Sequence, residues 1–131
     1  MAVLLHFEIT DRVIESAIHV HRILGPGLLE SAYQRCLAHQ LRAKGFKVEE
    51  QVPLKINFEG LEIPGAYRID MIVQDAVLLE LKSVENLSAI HVAQAITYMK
   101  FSGLEAGLIL NFNSVVLRDG LKRVFNNKHS H

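Results

Sequence analysis

The sequence has little of several features that mark common protein classes. Its 131 residues include one cysteine and no tryptophan, and lysine plus arginine equal aspartate plus glutamate at 14 each. The lone cysteine, Cys36, excludes an internal disulfide and suits a reducing compartment. The zero net charge excludes binding of nucleic acid through an overall basic field, so any site for a polyanion must be local.

Long hydrophobic runs are also missing. No uninterrupted apolar run is long enough to cross a bilayer, and no basic segment precedes the short apolar run at the start of the chain. We therefore expect a cytoplasmic protein without a membrane partner. Apolar residues make up 50% of the chain, which suits a single domain with an ordinary core. We expect that domain over 1–126 and a flexible tail over 127–131.

The spacing of apolar residues predicts two helices at the start of the chain. The first follows Thr10 and Asp11, either of which can cap it, and ends at Gly25. The second is expected over 28–44, with Gly45 placed to stop it.

Strand patterns dominate the rest of the chain. They occur in KVEEQVPLKINF, AYRIDMIV and VLLELK, before a third helix expected over 87–101. The run AGLILNF predicts a buried strand, and short strands are expected around a turn at Asp119–Gly120. This order predicts a mixed α/β fold in which helices pack on a mixed sheet.

Charged side chains interrupt the hairpin YRIDMIVQDAVLLELKS. A connection over 74–76 places Asp70 opposite Glu80. Arg68 then lies opposite Lys82, and all four charges share one face. The other face is expected to be core and carries Tyr67, Ile69, Met71, Val73, Val77, Leu79 and Leu81.

The opposed carboxylates of Asp70 and Glu80 require a cation. A separation of about 5 Å between their Cβ atoms gives a repulsion of about 3 kcal/mol at an effective dielectric constant of about 20. Lys82 can supply the positive charge, and so can a divalent metal ion, because two carboxylates with a backbone carbonyl and waters form a usual Mg²⁺ set. The alternative is a surface ion pair of either carboxylate with Lys82 or Arg68.

Glu30 lies in an unexpected direction on the second helix. At about 100° per residue it falls between Tyr33 and Leu37, on the stripe expected to face the sheet. The helix dipole explains an acidic residue in the first turn but not that direction. We therefore expect its carboxylate to point toward the charged face of the hairpin.

Three further residues have an ordinary structural interpretation. Gln94 and Tyr98 lie one turn apart on the third helix, and a place at the edge of the core accounts for them as well as a functional role does. Cys36, on an apolar flank of the second helix, is expected to be a small core residue.

These motifs resemble those of known proteins. GLLESAY, with Gly27, Glu30 and Tyr33, resembles the motif for which the GxxExxY protein family is named. ID…ELK followed by QAITY is similar to the signature of the PD-(D/E)xK nuclease superfamily, and the similarity extends over nearly the whole chain. It implies a restriction-endonuclease-like core: a helix, a three-stranded antiparallel meander with the active site, a helix and a further strand.

The resemblance also implies roles for particular residues. Asp70 and Glu80 would ligate Mg²⁺ or Mn²⁺, with Glu30 as an additional acid near the metal. Lys82 would orient or polarise the attacking water. The residues expected to support the site or to touch substrate are Gln94, Tyr98, Tyr33 and Arg68.

The expected function is hydrolysis of phosphodiester bonds in DNA, or in RNA, by a metal-dependent nuclease. A homodimer would allow two strands to be cut. The alternative is a non-catalytic module that keeps the fold to bind nucleic acid or protein, which the neutral charge favours. Local basic residues are expected to contact phosphates, with Arg68, Lys100, Arg118, Lys122 and Arg123 as candidates.

Overall fold

The computed structural model describes residues 6–126. The tail expected over 127–131 lies outside the described residues. In chain order the elements are α1 (His6–Leu24), α2 (Glu30–Ala43), β1 (Val48–Phe58), β2 (Leu61–Val73), β3 (Val77–Lys82), α3 (Ala89–Ser102), β4 (Ala106–Asn111), a 3-10 helix (Leu117–Gly120) and β5 (Leu121–Phe125).

The strands of this region form one mixed sheet in the order β1-β2-β3-β4-β5. β1, β2 and β3 form an antiparallel meander. After the crossover through α3, β4 lies parallel to β3, and β5 returns antiparallel to β4. The predicted mixed α/β fold, with its meander, helix and further strands, is confirmed.

Helices cover both faces of the sheet. Leu78 and Leu79 are neighbours on β3, yet they belong to two separate clusters of buried side chains, because successive strand residues point to opposite faces. The α1–α2 cluster includes Val13, Leu37, Met71, Leu79 and Leu110. The α3 cluster includes Leu54, Ile69, Leu78, Met99 and Ile109.

The alternation of side chains reverses within β1 and β2. Met71 belongs to the α1–α2 cluster, whereas Ile69, two residues away, belongs to the α3 cluster. Residues two apart share a face in a regular strand. On β1, Gln51 lies between the partners of these two residues, Glu50 and Val52, and its φ of +51° lies in the left-handed region. The expected single core face is therefore wrong: Ile69 lies on the α3 side, and Tyr67 is 47% exposed.

Two of the expected element boundaries are wrong as well. α1 begins at His6, before Thr10, whose hydroxyl donates a hydrogen bond to the Phe7 carbonyl at 3.0 Å inside the helix. Asp119 and Gly120 belong to the 3-10 helix, not to a hairpin turn. Gly120 packs tightly there, since a Cβ atom at that position would lie 2.7 Å from the Asn111 carbonyl oxygen.

Cys36 is exposed, which corrects its expected place in the core. The stripe that α2 buries contains Tyr33, Leu37 and Leu41, and Cys36 lies about 100° round the helix from Leu37. Separately, none of the helices over residues 6–126 has the length and apolarity that crossing a bilayer requires.

Candidate functional site

The strands β2 and β3 separate after the pair Met71–Leu79, the last of their backbone ladder. Two carboxylates then replace the missing backbone acceptors. Glu80 accepts a hydrogen bond from the Asp70 amide at 3.0 Å, and Asp70 accepts one from the Leu81 amide at 2.8 Å. Asp70 and Glu80 are therefore not joined by backbone hydrogen bonds. Each side chain instead reaches across to the backbone of the other strand, an arrangement that we call a fork.

Burial makes the charged forms of both carboxylates costly. Glu80 is 4% exposed, and burial, followed by repulsion from Asp70, raises the pKa of Glu80 to about 7. Burial also raises the pKa of Asp70 against the opposing hydrogen bond from the Leu81 amide. Two neighbouring carboxylates of this kind favour a proton or a cation between them.

Lys82 lies close enough to the two carboxylates to lower the pKa of each. Among residues 6–126, however, the ion pairs closer than 4.0 Å do not include it. Its ammonium group donates instead to the Gln94 side-chain oxygen at 3.4 Å, and Gln94 donates to the Tyr98 hydroxyl at 3.3 Å. The structure thus brings Asp70, Glu80 and Lys82 together with Gln94 and Tyr98, and we call the first three the fork site.

Glu30 begins α2 and reaches the end of β3. Its carboxylate accepts a hydrogen bond from the Ser83 amide at 3.1 Å, and the Ser83 hydroxyl donates to the Leu28 carbonyl at 3.0 Å. The carboxylate therefore points toward the fork site, as the helical angles indicated. Glu30 is exposed, however, not buried as expected, because the first turn of the helix extends beyond the packed part of the stripe.

Tyr33 lies beneath the loop that precedes Glu30 and does not reach the fork site. Its ring is fully buried and stacks on Phe112 with 4.4 Å between centroids. Its hydroxyl accepts a hydrogen bond from the Leu28 amide at 3.0 Å and donates one to the Gly25 carbonyl at 2.5 Å. Tyr33 thus fixes the loop that presents Glu30.

Replacing Tyr33 with phenylalanine is expected to lower the free energy of unfolding by about 1–3 kcal/mol. The change removes the buried hydroxyl that joins the Leu28 amide to the Gly25 carbonyl, and each of the two hydrogen bonds lost contributes about 0.5–1.5 kcal/mol. Urea denaturation measures the loss. The matched control is Tyr67→Phe, on an exposed ring. An equal effect in both variants would contradict the structural role of the Tyr33 hydroxyl.

Arg68 does not lie opposite Lys82 as expected. Its backbone pairs with Pro53 of β1, and its guanidinium donates to the Gln51 carbonyl at 3.2 Å. The β2–β3 ladder ends before this level. Arg68 therefore lies on the β1 side of the fork, where it forms no ion pair with the carboxylates among the described residues.

The other basic residues expected to contact phosphate do not form one surface. Arg123 bonds to the Asp11 carboxylate at 2.8 Å, on α1, and Arg118 borders a cavity with residues of α1. Lys100 lies on α3, which covers the opposite face of the sheet. The expected cluster is therefore divided between the two faces.

Two comparisons place this architecture among known proteins. The sequence profile of the PD-(D/E)XK nuclease superfamily matches residues 7–124. The chain belongs to the PD-(D/E)XK nuclease superfamily. Its fold is similar to the crystal structure of SSO0001, with a TM-score of 0.53, 15% sequence identity, and coverage of 90% of this chain and 78% of that chain. No curated protein is significantly similar in sequence.

Several residues that shape the site carry no recognisable motif in the sequence. The Gln34 side-chain oxygen accepts a hydrogen bond from Gln51 at 2.7 Å, and the Gln51 amide also lies 3.5 Å from Asp70. Gln34 is one turn after Glu30, a spacing that places them on one side of α2. No sequence signal identifies Gln51. These side chains and Asp70 line a groove of about 930 Å³.

The loop after Lys82 is held by a third residue that the sequence did not reveal. Asn111, 2% exposed at the end of β4, accepts a hydrogen bond from the Val84 amide at 3.1 Å and donates one to the Val84 carbonyl at 2.9 Å. These two hydrogen bonds fix the loop that follows Lys82, just beyond the fork site. Fixed geometry of this kind is what a site for chemistry requires.

Proposed function

We propose that this chain is a metal-dependent nuclease that hydrolyses phosphodiester bonds of DNA at the fork site, with RNA as the alternative substrate, and that it is a GxxExxY protein. The observation that carries the proposal is the juxtaposition of Asp70 and Glu80 beside Lys82, whose ammonium group forms no direct ion pair with a carboxylate over residues 6–126. Membership of the nuclease superfamily supports a catalytic role for these three residues.

The donor atoms of the fork fit a hard divalent cation. Over residues 6–126, no three histidine, cysteine, aspartate or glutamate side chains form a ready metal cluster. Mg²⁺ nevertheless commonly binds through one or two carboxylates together with waters and substrate phosphates. Asp70 and Glu80 would hold Mg²⁺ or Mn²⁺, with Glu30 at the edge of the site. A metal bound there supplies charge stabilisation and lowers the pKa of bound water.

The protein's own side chains supply position and charge. Hydrogen bonds from the Asp70 and Leu81 amides fix one oxygen of each fork carboxylate. Gln94 holds the ammonium group of Lys82, which orients the attacking water and stabilises negative charge on the phosphoryl oxygens. Because Lys82 is already oriented, little reorganisation is needed when substrate binds.

Asp70→Asn is expected to weaken Mn²⁺ binding at least about tenfold, since an amide oxygen is a poorer ligand than a carboxylate and does not balance the cation's charge. Isothermal titration calorimetry measures the change. The matched control is Asp75→Asn, an exposed aspartate at the closed end of the same hairpin, which should bind like the parent. Undiminished binding by Asp70→Asn would remove Asp70 from the metal site.

Labelled single- and double-stranded DNA and RNA test the proposed function directly. We expect the parent protein to cleave at least one of these substrates with Mn²⁺ or Mg²⁺ and none of them with EDTA. The Asp75→Asn control should retain the activity that Asp70→Asn loses. Binding of nucleic acid without cleavage under every metal condition would instead support the alternative, a non-catalytic binding module with the nuclease fold.

A further inference from the structure

A smaller cavity adjoins the fork site on the α3 side of the sheet. Its volume is about 340 Å³. Three aromatic rings and one amide contribute to its walls, and we call the cavity the aromatic pocket after the residues Tyr67, Tyr98, Phe101 and Gln94. Leu54 and Ile56 of β1 add apolar surface beneath the rings.

Two of the three rings of the aromatic pocket are accessible to a ligand, whereas Tyr98 is 9% exposed. Tyr67 is 47% exposed and Phe101 is 37% exposed. Tyr67 and Tyr98 lie 6.3 Å apart between ring centroids, with their planes tilted by 55°. Their tilted planes leave part of the Tyr67 surface facing solvent instead of packing it wholly against Tyr98. A flat, apolar, polarisable ligand suits such a surface.

Gln94 connects the aromatic pocket to the fork site. It lies in the wall of the pocket, donates a hydrogen bond to the Tyr98 hydroxyl and accepts one from the Lys82 ammonium group. A ligand in the pocket is therefore separated from Lys82 by a single side chain. A substrate bound at the fork carboxylates is therefore close enough to place a neighbouring group in the pocket.

Positive charge flanks the aromatic pocket on two sides. Lys82 lies beyond Gln94, and the Lys100 ammonium group lies 5.9 Å from the centroid of the Phe101 ring. A nucleotide combines a flat base with anionic phosphates, which matches rings flanked by cations. Bases inside a duplex expose only their edges in the grooves, so a base must be unpaired to place its face against a ring.

We infer that the aromatic pocket receives an unpaired nucleobase next to the phosphate at the fork site, and that the substrate is a strand that is unpaired at the cleavage position. The inference rests on the proposed nuclease function and names its substrate class. Single-stranded segments bind in this way to proteins that stack bases on aromatic side chains. A fully paired, blunt-ended duplex does not present such a base.

Fluorescence anisotropy in EDTA separates binding from cleavage. We expect a fluorescein-labelled single-stranded oligodeoxyadenylate to bind the parent more tightly than a blunt duplex of the same length. Tyr67→Ala should raise the Kd for the single strand at least about fivefold, because stacking of one base is worth about 1 kcal/mol or more. Tyr67→Phe keeps the ring and should bind like the parent.

The control for this loss is Phe125→Ala, which removes an exposed ring from β5 at the opposite edge of the sheet. It should leave the Kd unchanged. Phe101→Ala provides a second test of the pocket, and thermal melting verifies that each variant folds. The same strand made of RNA shows whether the pocket accepts both sugars or only deoxyribose.

A base analogue reports stacking at the pocket itself. An oligonucleotide containing 2-aminopurine should change its fluorescence on binding to the parent and to Tyr67→Phe, but not on binding to Tyr67→Ala. Equal affinity of the parent for duplex and single strand, or equal losses in Tyr67→Ala and Phe125→Ala, would overturn the inference. Stacking without cleavage under any metal condition would instead leave the pocket standing and refute the nuclease.

Discussion

Lys82→Met is expected to reduce the rate of cleavage at least about a hundredfold, the scale of losing one oriented group that stabilises transition-state charge. The substitution keeps the length and much of the apolar volume of the side chain but removes its ammonium group. It also frees Gln94, whose oxygen accepts the lysine's hydrogen bond. Single-turnover cleavage of the labelled substrate with saturating Mn²⁺ measures the chemical step.

A matched variant separates this effect from a general loss of positive charge. Lys55→Met removes an exposed lysine from β1, and we expect it to cleave at the parental rate. Lys82→Met should still bind the oligonucleotide in EDTA to within about threefold of the parent, since one phosphate contact contributes little. Cleavage by Lys82→Met at the parental rate would exclude Lys82 from the reaction.

Between pH 4 and pH 8, the titration of Glu80 is expected to lower the free energy of unfolding of the metal-free protein by about 3 kcal/mol. In the folded chain the pKa of Glu80 is raised from 4.5 to about 7, so the folded state binds this proton more tightly than the unfolded state. Stability is therefore greatest below the ordinary pKa and falls until the pH exceeds the folded value. Each pKa unit corresponds to about 1.4 kcal/mol, and the raised pKa of Asp70 acts in the same direction.

Glu80→Gln should remove most of this pH dependence. An amide can still accept the hydrogen bond from Asp70, but it carries no charge at any of these pH values. We therefore expect the variant to equal or exceed the parent in stability at pH 8 with EDTA, measured by urea denaturation across the pH range. Glu85→Gln, an exposed control in the loop after β3, should follow the parental curve. Destabilisation of Glu80→Gln at pH 8 would show that the carboxylate stabilises the fold.

Local patterns in the sequence were sufficient to predict most elements and the fork carboxylates. Alternation and a short connection identified Asp70 and Glu80 as neighbours, and the helical angle of Glu30 gave its direction. The ends of elements were less predictable when a long-range contact decided them. Gly120, for example, resembles a turn residue, but its conformation follows from tight packing against Asn111.

The expected arrangement of the hairpin faces failed because the backbone does not stay regular. Gln51 adopts a positive φ that nothing in its residue type demands. At this position the side chains of β1 and β2 switch from one face of the sheet to the other. Arg68 consequently contacts Gln51 instead of lying opposite Lys82. How β1 pairs with β2 depends on contacts between the strands, so the residue pattern of one strand alone does not predict it.

The order of strands in the sheet also bears on how the chain folds. Each strand after β1 lies beside the strand that precedes it in sequence, so the contact order of the sheet is lower than in a sheet whose strands are reordered. Low contact order lowers the entropy lost before native contacts form and speeds folding. The meander that carries the fork carboxylates can form from β1, β2 and β3 without waiting for β4 or β5. The parallel pair of β3 and β4 requires the longest closure, because α3 lies between them.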